Sequence, residues 1–129
     1  MFSFAQSDST SYSECEIKKN GMYYSELDKE TNIYIRFHDG DTVVTTSSEN
    51  DLKKAAIYIN KDLGEGMLVG NYFTSIRTCN IRIKAKNDFG RVKMNGIITN
   101  DEILMSVINI EENTARDFVF KFYPIFTDK

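Results

Sequence analysis

Near the C-terminal end, Lys121-Phe122-Tyr123 places a cation and a phenol two residues apart, on one side of any extended segment. Tyr34 and Arg36 repeat that spacing earlier in the chain. Together the four could grip a carboxylate if their face turned inward. Phe118, Phe120 and Phe122 take the opposite parity, however, and aromatic rings claim an interior more readily than Lys121 does. The single histidine, His38, has no Ser or Cys that can be placed beside it to build a triad. Asp39-Gly40-Asp41 lacks the ligand spacing and terminal Glu of an EF-hand and reads as a turn. No phosphate-cradling glycine loop, His-rich cluster or carboxylate dyad occurs. The chain is expected to be non-catalytic, with no metal and no cofactor.

The clearest charge feature is a basic stripe. Residues 76–99 hold Arg77, Arg82, Lys84, Lys86, Arg91 and Lys93 against Asp88 alone, a local balance of +5 in a chain whose net charge is −3. Arg82, Lys84 and Lys86 share one face of one strand, and Arg91 and Lys93 follow across a tight turn. Such a patch could meet an acidic protein or phosphate groups, or simply keep a hairpin solvated and discourage edge pairing. The overall negative charge argues against a general nucleic-acid binder.

Cys15 and Cys79 match no zinc or redox spacing. They permit one disulfide without demanding it, and unpaired thiols in a reducing compartment are the simpler expectation. A cytoplasmic location follows from that. Ser3-Phe4-Ala5 looks like the small-x-small end of a cleavage site, so a leader removed before residue 6 would make the protein secreted. No sequon adds support to secretion, and no apolar run approaches the roughly 18 residues of a membrane span.

One hundred and twenty-nine residues, 41% apolar and 27% charged, make one globular domain. Residues 1–20 are polar and Ser-rich and read as an N-terminal arm, and 21–129 as a single β-barrel domain. Strands are expected over 21–27, 31–38 and 42–46, where Ile33, Ile35 and Phe37 alternate with Tyr34 and Arg36. Asp39-Gly40 would turn the hairpin. Ser47 or Ser48 could then cap a helix whose apolar stripe is Leu52, Ala55, Ala56, Ile59 and Leu63, stopped by Gly64 and Gly66. Five more strands follow over 67–75, 79–85, 91–99, 102–110 and 118–126, with Gly96 marking a bulge or close packing of the helix. Eight short strands joined by short turns favour an all-β, antiparallel up-and-down barrel, with the helix inserted between strands three and four to plug one end or pack on the wall. Oligomeric state is not legible.

That pattern resembles the calycin group, which includes lipocalins. Gly21-Met22-Tyr23 stands where lipocalins carry Gly-x-Trp. A looser likeness is to small lipocalin-like domains, such as the barrel-like C-terminal region of some F-box proteins. There, Ile35-Arg36-Phe37-His38-Asp39-Gly40-Asp41-Thr42-Val43 would be the arginine–aromatic strand and its turn, and Gly70-Asn71-Tyr72 the strand after the helix. Lys121-Phe122-Tyr123 has the form of the basic-x-Tyr anchor of intracellular fatty-acid binders. The resemblance implies a barrel; with the apolar inward stripe it motivates a small apolar or amphipathic ligand lined by Ile35, Phe37, Ile83, Met94, Phe120 and Phe122, although so many large side chains could instead pack the interior solid. The alternative is an interaction module that works through its outer surface, chiefly the basic hairpin Arg82, Lys84, Lys86, Arg91 and Lys93, toward an acidic partner.

Overall fold

The computed structural model describes residues 15–49, 51–61, 67–75 and 77–125. Its strands are β1 (Gly21–Glu26), β2 (Thr31–Phe37), β3 (Thr42–Glu49), β4 (Leu68–Ser75), β5 (Asn80–Lys86), β6 (Arg91–Thr99), β7 (Glu102–Asn109) and β8 (Thr114–Pro124), with the helix α1 (Leu52–Lys61) between β3 and β4. Each strand pairs antiparallel with its neighbour in sequence, and β8 closes on β1, giving a closed eight-stranded up-and-down barrel. Closure leaves no strand with an unpaired edge.

Period-two patterning divides each strand between two environments. Tyr23, Ile35, Phe37, Ile81, Ile83, Met94, Met105 and Phe120 all point into the barrel and are buried. Aromatic edges lock this interior: Phe37 lies 5.7 Å from Tyr23 and 4.8 Å from Tyr72, both nearly perpendicular. The opposite parity is also buried along the first strands. Met22, Tyr34 and Val44 point outward and are covered by Ala55, Ala56 and Ile59 of α1, with Met67. The helix therefore packs on the wall and leaves the ends of the barrel to other elements. Its stripe of two alanines lets it lie close to the sheet.

Two boundaries differ from those the sequence suggests. Ser47 and Ser48 remain in β3, paired with Ile33 and Asn32, so the helix is capped by Asp51, whose carboxylate accepts the Lys54 amide at 3.2 Å. Strand β8 begins at Thr114, four residues before Phe118, because it pairs with β7 as far as Asn109. Leu63, Gly64 and Gly66 lie outside the described residues. The positive φ angles of the β2–β3 turn fall on Gly40 and Asp41, one residue later than expected. At Gly96 the β6–β7 register runs without a bulge; a Cβ there would lie 2.3 Å from the Leu104 carbonyl oxygen, so the close neighbour is β7 and not the helix.

A candidate binding mouth and a strapped end

The barrel has two dissimilar ends. At one, the chain entering β1 runs past all three hairpin connections. Cys15 is disulfide-bonded to Cys79 in the β4–β5 turn, with Cα atoms 5.0 Å apart. Lys18 pairs with Asp101 in the β6–β7 turn, and Lys19 lies 3.4 Å from Asp39 in the β2–β3 turn. Between these ties Ile17 packs against the interior, the Lys18 amide donates to the Tyr23 hydroxyl at 3.1 Å, and the Lys18 ammonium lies 5.1 Å from the centre of the Phe122 ring. Burial holds the Tyr23 phenol above its ordinary pKa, so it remains neutral while accepting that bond. The two cysteines, which sequence alone leaves more simply as separate thiols, are joined because this strap brings them together across 64 residues of chain.

His38 belongs to the same end. Its carbonyl accepts the Tyr72 hydroxyl at 3.2 Å, its amide donates to Thr42, and its ring Nε2 is buried. Burial, followed by the charge of Arg36, pushes its pKa down. The histidine is a structural member of a turn, with no nucleophile placed against it among the described contacts.

The other end opens as a cavity of about 490 Å³. Its walls are the inward side chains of the outermost layer, Leu27, Ile33, Leu68, Val92, Val107 and Phe118, with Met94 toward the floor. Polar groups sit at the rim: Asn87, Asn109, Arg91 and Arg116; Thr45 also lines the cavity but is buried, its hydroxyl donating to the Tyr34 carbonyl at 2.9 Å. Arg116 is the important one. It pairs with Val107 across β7–β8 and shares parity with Phe118, Phe120 and Phe122, so it is the one basic residue on an inward position among the described strand residues. Its guanidinium lies 4.9 Å from the centre of the Phe118 ring. Arg91 is engaged differently. Glu111 takes both its backbone amide and its Nε at 2.8 Å, and that pairing lowers the Glu111 pKa.

The six lining residues named from the sequence distribute unevenly about this cavity. Met94 borders it. Ile35, Phe37, Ile83 and Phe120 are packed within the filled section of the interior, and Phe122 lies half-buried beneath the strap. Lys121 is exposed on the outer wall, and Tyr34 and Arg36 lie on the outward parity of β2, so the carboxylate-gripping group of four does not assemble inside. The inward cation is Arg116 instead. The alternation that exposes it, Arg116-x-Phe118-x-Phe120, is present in the sequence, and it is hidden only if the strand is begun at Phe118.

On the outer wall Arg82, Lys84, Lys86, Arg91 and Lys93 are all exposed and do form one patch. Lys84 stands directly opposite Lys93, and Lys86 opposite Arg91. Among the described residues no group of three or more His, Cys, Asp or Glu side chains could hold a metal ion, and no helix is long and apolar enough to cross a membrane. No family model matches the chain, and neither a curated protein nor a solved structure proves significantly similar to it.

Proposed function

We propose that the protein is a non-catalytic binder of a small amphipathic molecule, held at the open mouth with its apolar part against Val92, Val107 and Phe118 and an anionic group on Arg116. The observation that carries this reading is Arg116, a basic residue on an inward strand position whose side chain is exposed at the rim of an apolar-lined cavity. Arg116 is exposed at the rim and held over the Phe118 ring, where a ligand carboxylate, sulfonate or phosphate would exchange water for charge-assisted hydrogen bonds. The cavity volume lies within the range of small-molecule sites, whereas the filled section below supports a ligand confined to the outer layer. The Cys15–Cys79 bridge supports function in an oxidising compartment, which favours export over the cytoplasm.

The test uses anilinonaphthalene sulfonate, an anionic amphipathic dye, together with native mass spectrometry of protein purified from its own host. Saturable dye binding that falls by about ten-fold in Arg116→Gln, the worth of one charge-assisted contact, is the expected result. Equal dye binding by wild type and Arg116→Gln, with a clean apo mass, would rule the reading out.

A further inference from the structure

The basic patch lies on the β5–β6 hairpin, whose tip carries the most exposed large apolar side chain of the described residues. Phe89 is 88% exposed. Its position is built, not incidental. The Asn87 side-chain oxygen accepts the amides of Phe89 at 2.7 Å and Gly90 at 2.9 Å, while the Asn87 amide donates to the Gly90 carbonyl. The turn is thereby fixed with the ring outward, and the tip amides are already satisfied, so leaving water does not orphan them.

Behind the ring the cations come in ranks. Lys86 and Arg91 form the first cross-strand pair, Lys84 and Lys93 the second, and Arg82 stands opposite Asn95 in the third. Ranks two residues apart are spaced by about 7 Å along the strands. Like charges placed directly opposite one another weaken a sheet. Nor do these charges guard an edge, since β5 and β6 are each paired on both sides in the closed barrel. Arg91 is ion-paired with Glu111, whereas among the described residues no carboxylate forms an ion pair with Arg82, Lys84, Lys86 or Lys93. Over residues 82–93 the balance is five cations against Asp88, in a chain of net charge −3. Acidic side chains near the hairpin are Asp88 at its tip and Glu111 and Glu112 of the β7–β8 turn, Glu111 being paired with Arg91; others lie across the mouth, at Asp28 and Glu30 of the β1–β2 turn and at Glu49 and Asp51 beside α1.

We propose that the β5–β6 hairpin docks the protein on an anionic lipid bilayer, with Phe89 entering the interfacial region and the Lys86–Arg91 and Lys84–Lys93 ranks meeting the headgroups. The order of the chemistry along one axis, an apolar tip and then cations, is what separates a bilayer from an acidic protein partner. A protein interface gathers its apolar residues in a centre with the charges around them. Here the apolar group leads and the charges stand behind it, as an interface between hydrocarbon and phosphate requires. Screening over about 8 Å at physiological salt makes the first rank count most. The docked molecule tilts onto the outer face of the hairpin, which keeps the acidic residues of the β1–β2 turn and those beside α1 away from the lipid. This inference does not depend on the mouth holding a ligand, although Phe89, Gly90 and Arg91 also border the cavity.

The experiment is flotation of the full chain with phosphatidylcholine vesicles prepared with and without phosphatidylglycerol. Lys84→Glu/Lys86→Glu is the informative variant, because one new carboxylate faces Lys93 and the other faces Arg91, which Glu111 already pairs, so each cross-strand partner of a new carboxylate is a cation. Its melting temperature should hold or rise while binding to the anionic vesicles falls at least twenty-fold, near five-fold for each cation removed and more for the reversal. Phe89→Ser should lose about ten-fold with the fold unchanged. Binding that ignores phosphatidylglycerol, or that survives Lys84→Glu/Lys86→Glu, overturns the proposal. So does binding that ignores Phe89 and is matched on soluble polyglutamate, which would assign the patch to an acidic protein.

Discussion

The two ends of the barrel are built from the same alternating strands and reach opposite results. At the strapped end, aromatic side chains fill the interior and Cys15–Asn20 ties together the three hairpin turns that surround it. At the open end the inward positions carry shorter groups, such as Thr45, Val92 and Val107, and a charged one, Arg116, above a cavity of about 490 Å³. A small barrel has a single interior, so whatever volume serves a ligand is withdrawn from the core. The contrast is one of packing: one end is filled and cross-linked, and the open volume is confined to the outermost layer of the other.

The largest difference between the ends should appear on truncating interior side chains. Phe37→Ala, next to the strapped end and fully buried, is expected to lower stability by about 3–5 kcal/mol in urea unfolding. Val107→Ala, which only enlarges an existing cavity at the mouth, should cost about 1 kcal/mol. Equal losses would erase the distinction between a filled and an open end.

Next comes the strap. The disulfide closes a 64-residue separation, and replacing both cysteines with serine should lower stability by about 2–4 kcal/mol. Dye binding at the mouth should stay within about two-fold of wild type at a temperature where both proteins are folded, since 1.4 kcal/mol would be ten-fold. A double serine variant that loses dye binding while still folded would show that the two ends are coupled.

The smallest expected effect is that of acid on the strapped end. His38 titrates below its ordinary 6.5 because it is partly buried, and secondarily because Arg36 is near. The unfolded chain therefore takes up this proton first as pH falls, and the folded state loses stability from about pH 6.5 downward, over the interval between the two pKa values. Above that interval the contribution is fully present. His38→Gln should flatten this part of the stability profile; an unchanged slope would mean that the histidine is not its source.

Much of the architecture was legible in the chain. Alternation over Ile33-x-Ile35-x-Phe37 and Phe118-x-Phe120-x-Phe122 assigns an inward face that the structure keeps, since side-chain parity along a strand admits only two choices and apolar rings decide between them. The stripe Ala55, Ala56 and Ile59 likewise meets the sheet. The basic residues of β5 and β6 share a face for the same reason. The site was less legible. Arg116 escapes notice because Glu111 to Asp117 reads as a polar loop, and only pairing with β7 extends β8 backward over it.

Sequence by itself determined which side chains turn inward, the number of strands, their order and the place of the helix in that order, because these follow from local periodicity and short connections. Tertiary structure alone decided the wall on which the helix lies, the joining of Cys15 to Cys79, and which end of the interior stays open. Those depend on contacts between segments far apart in the chain, whose meeting is fixed by the closure of β8 on β1 and leaves no trace in the spacing of neighbouring residues.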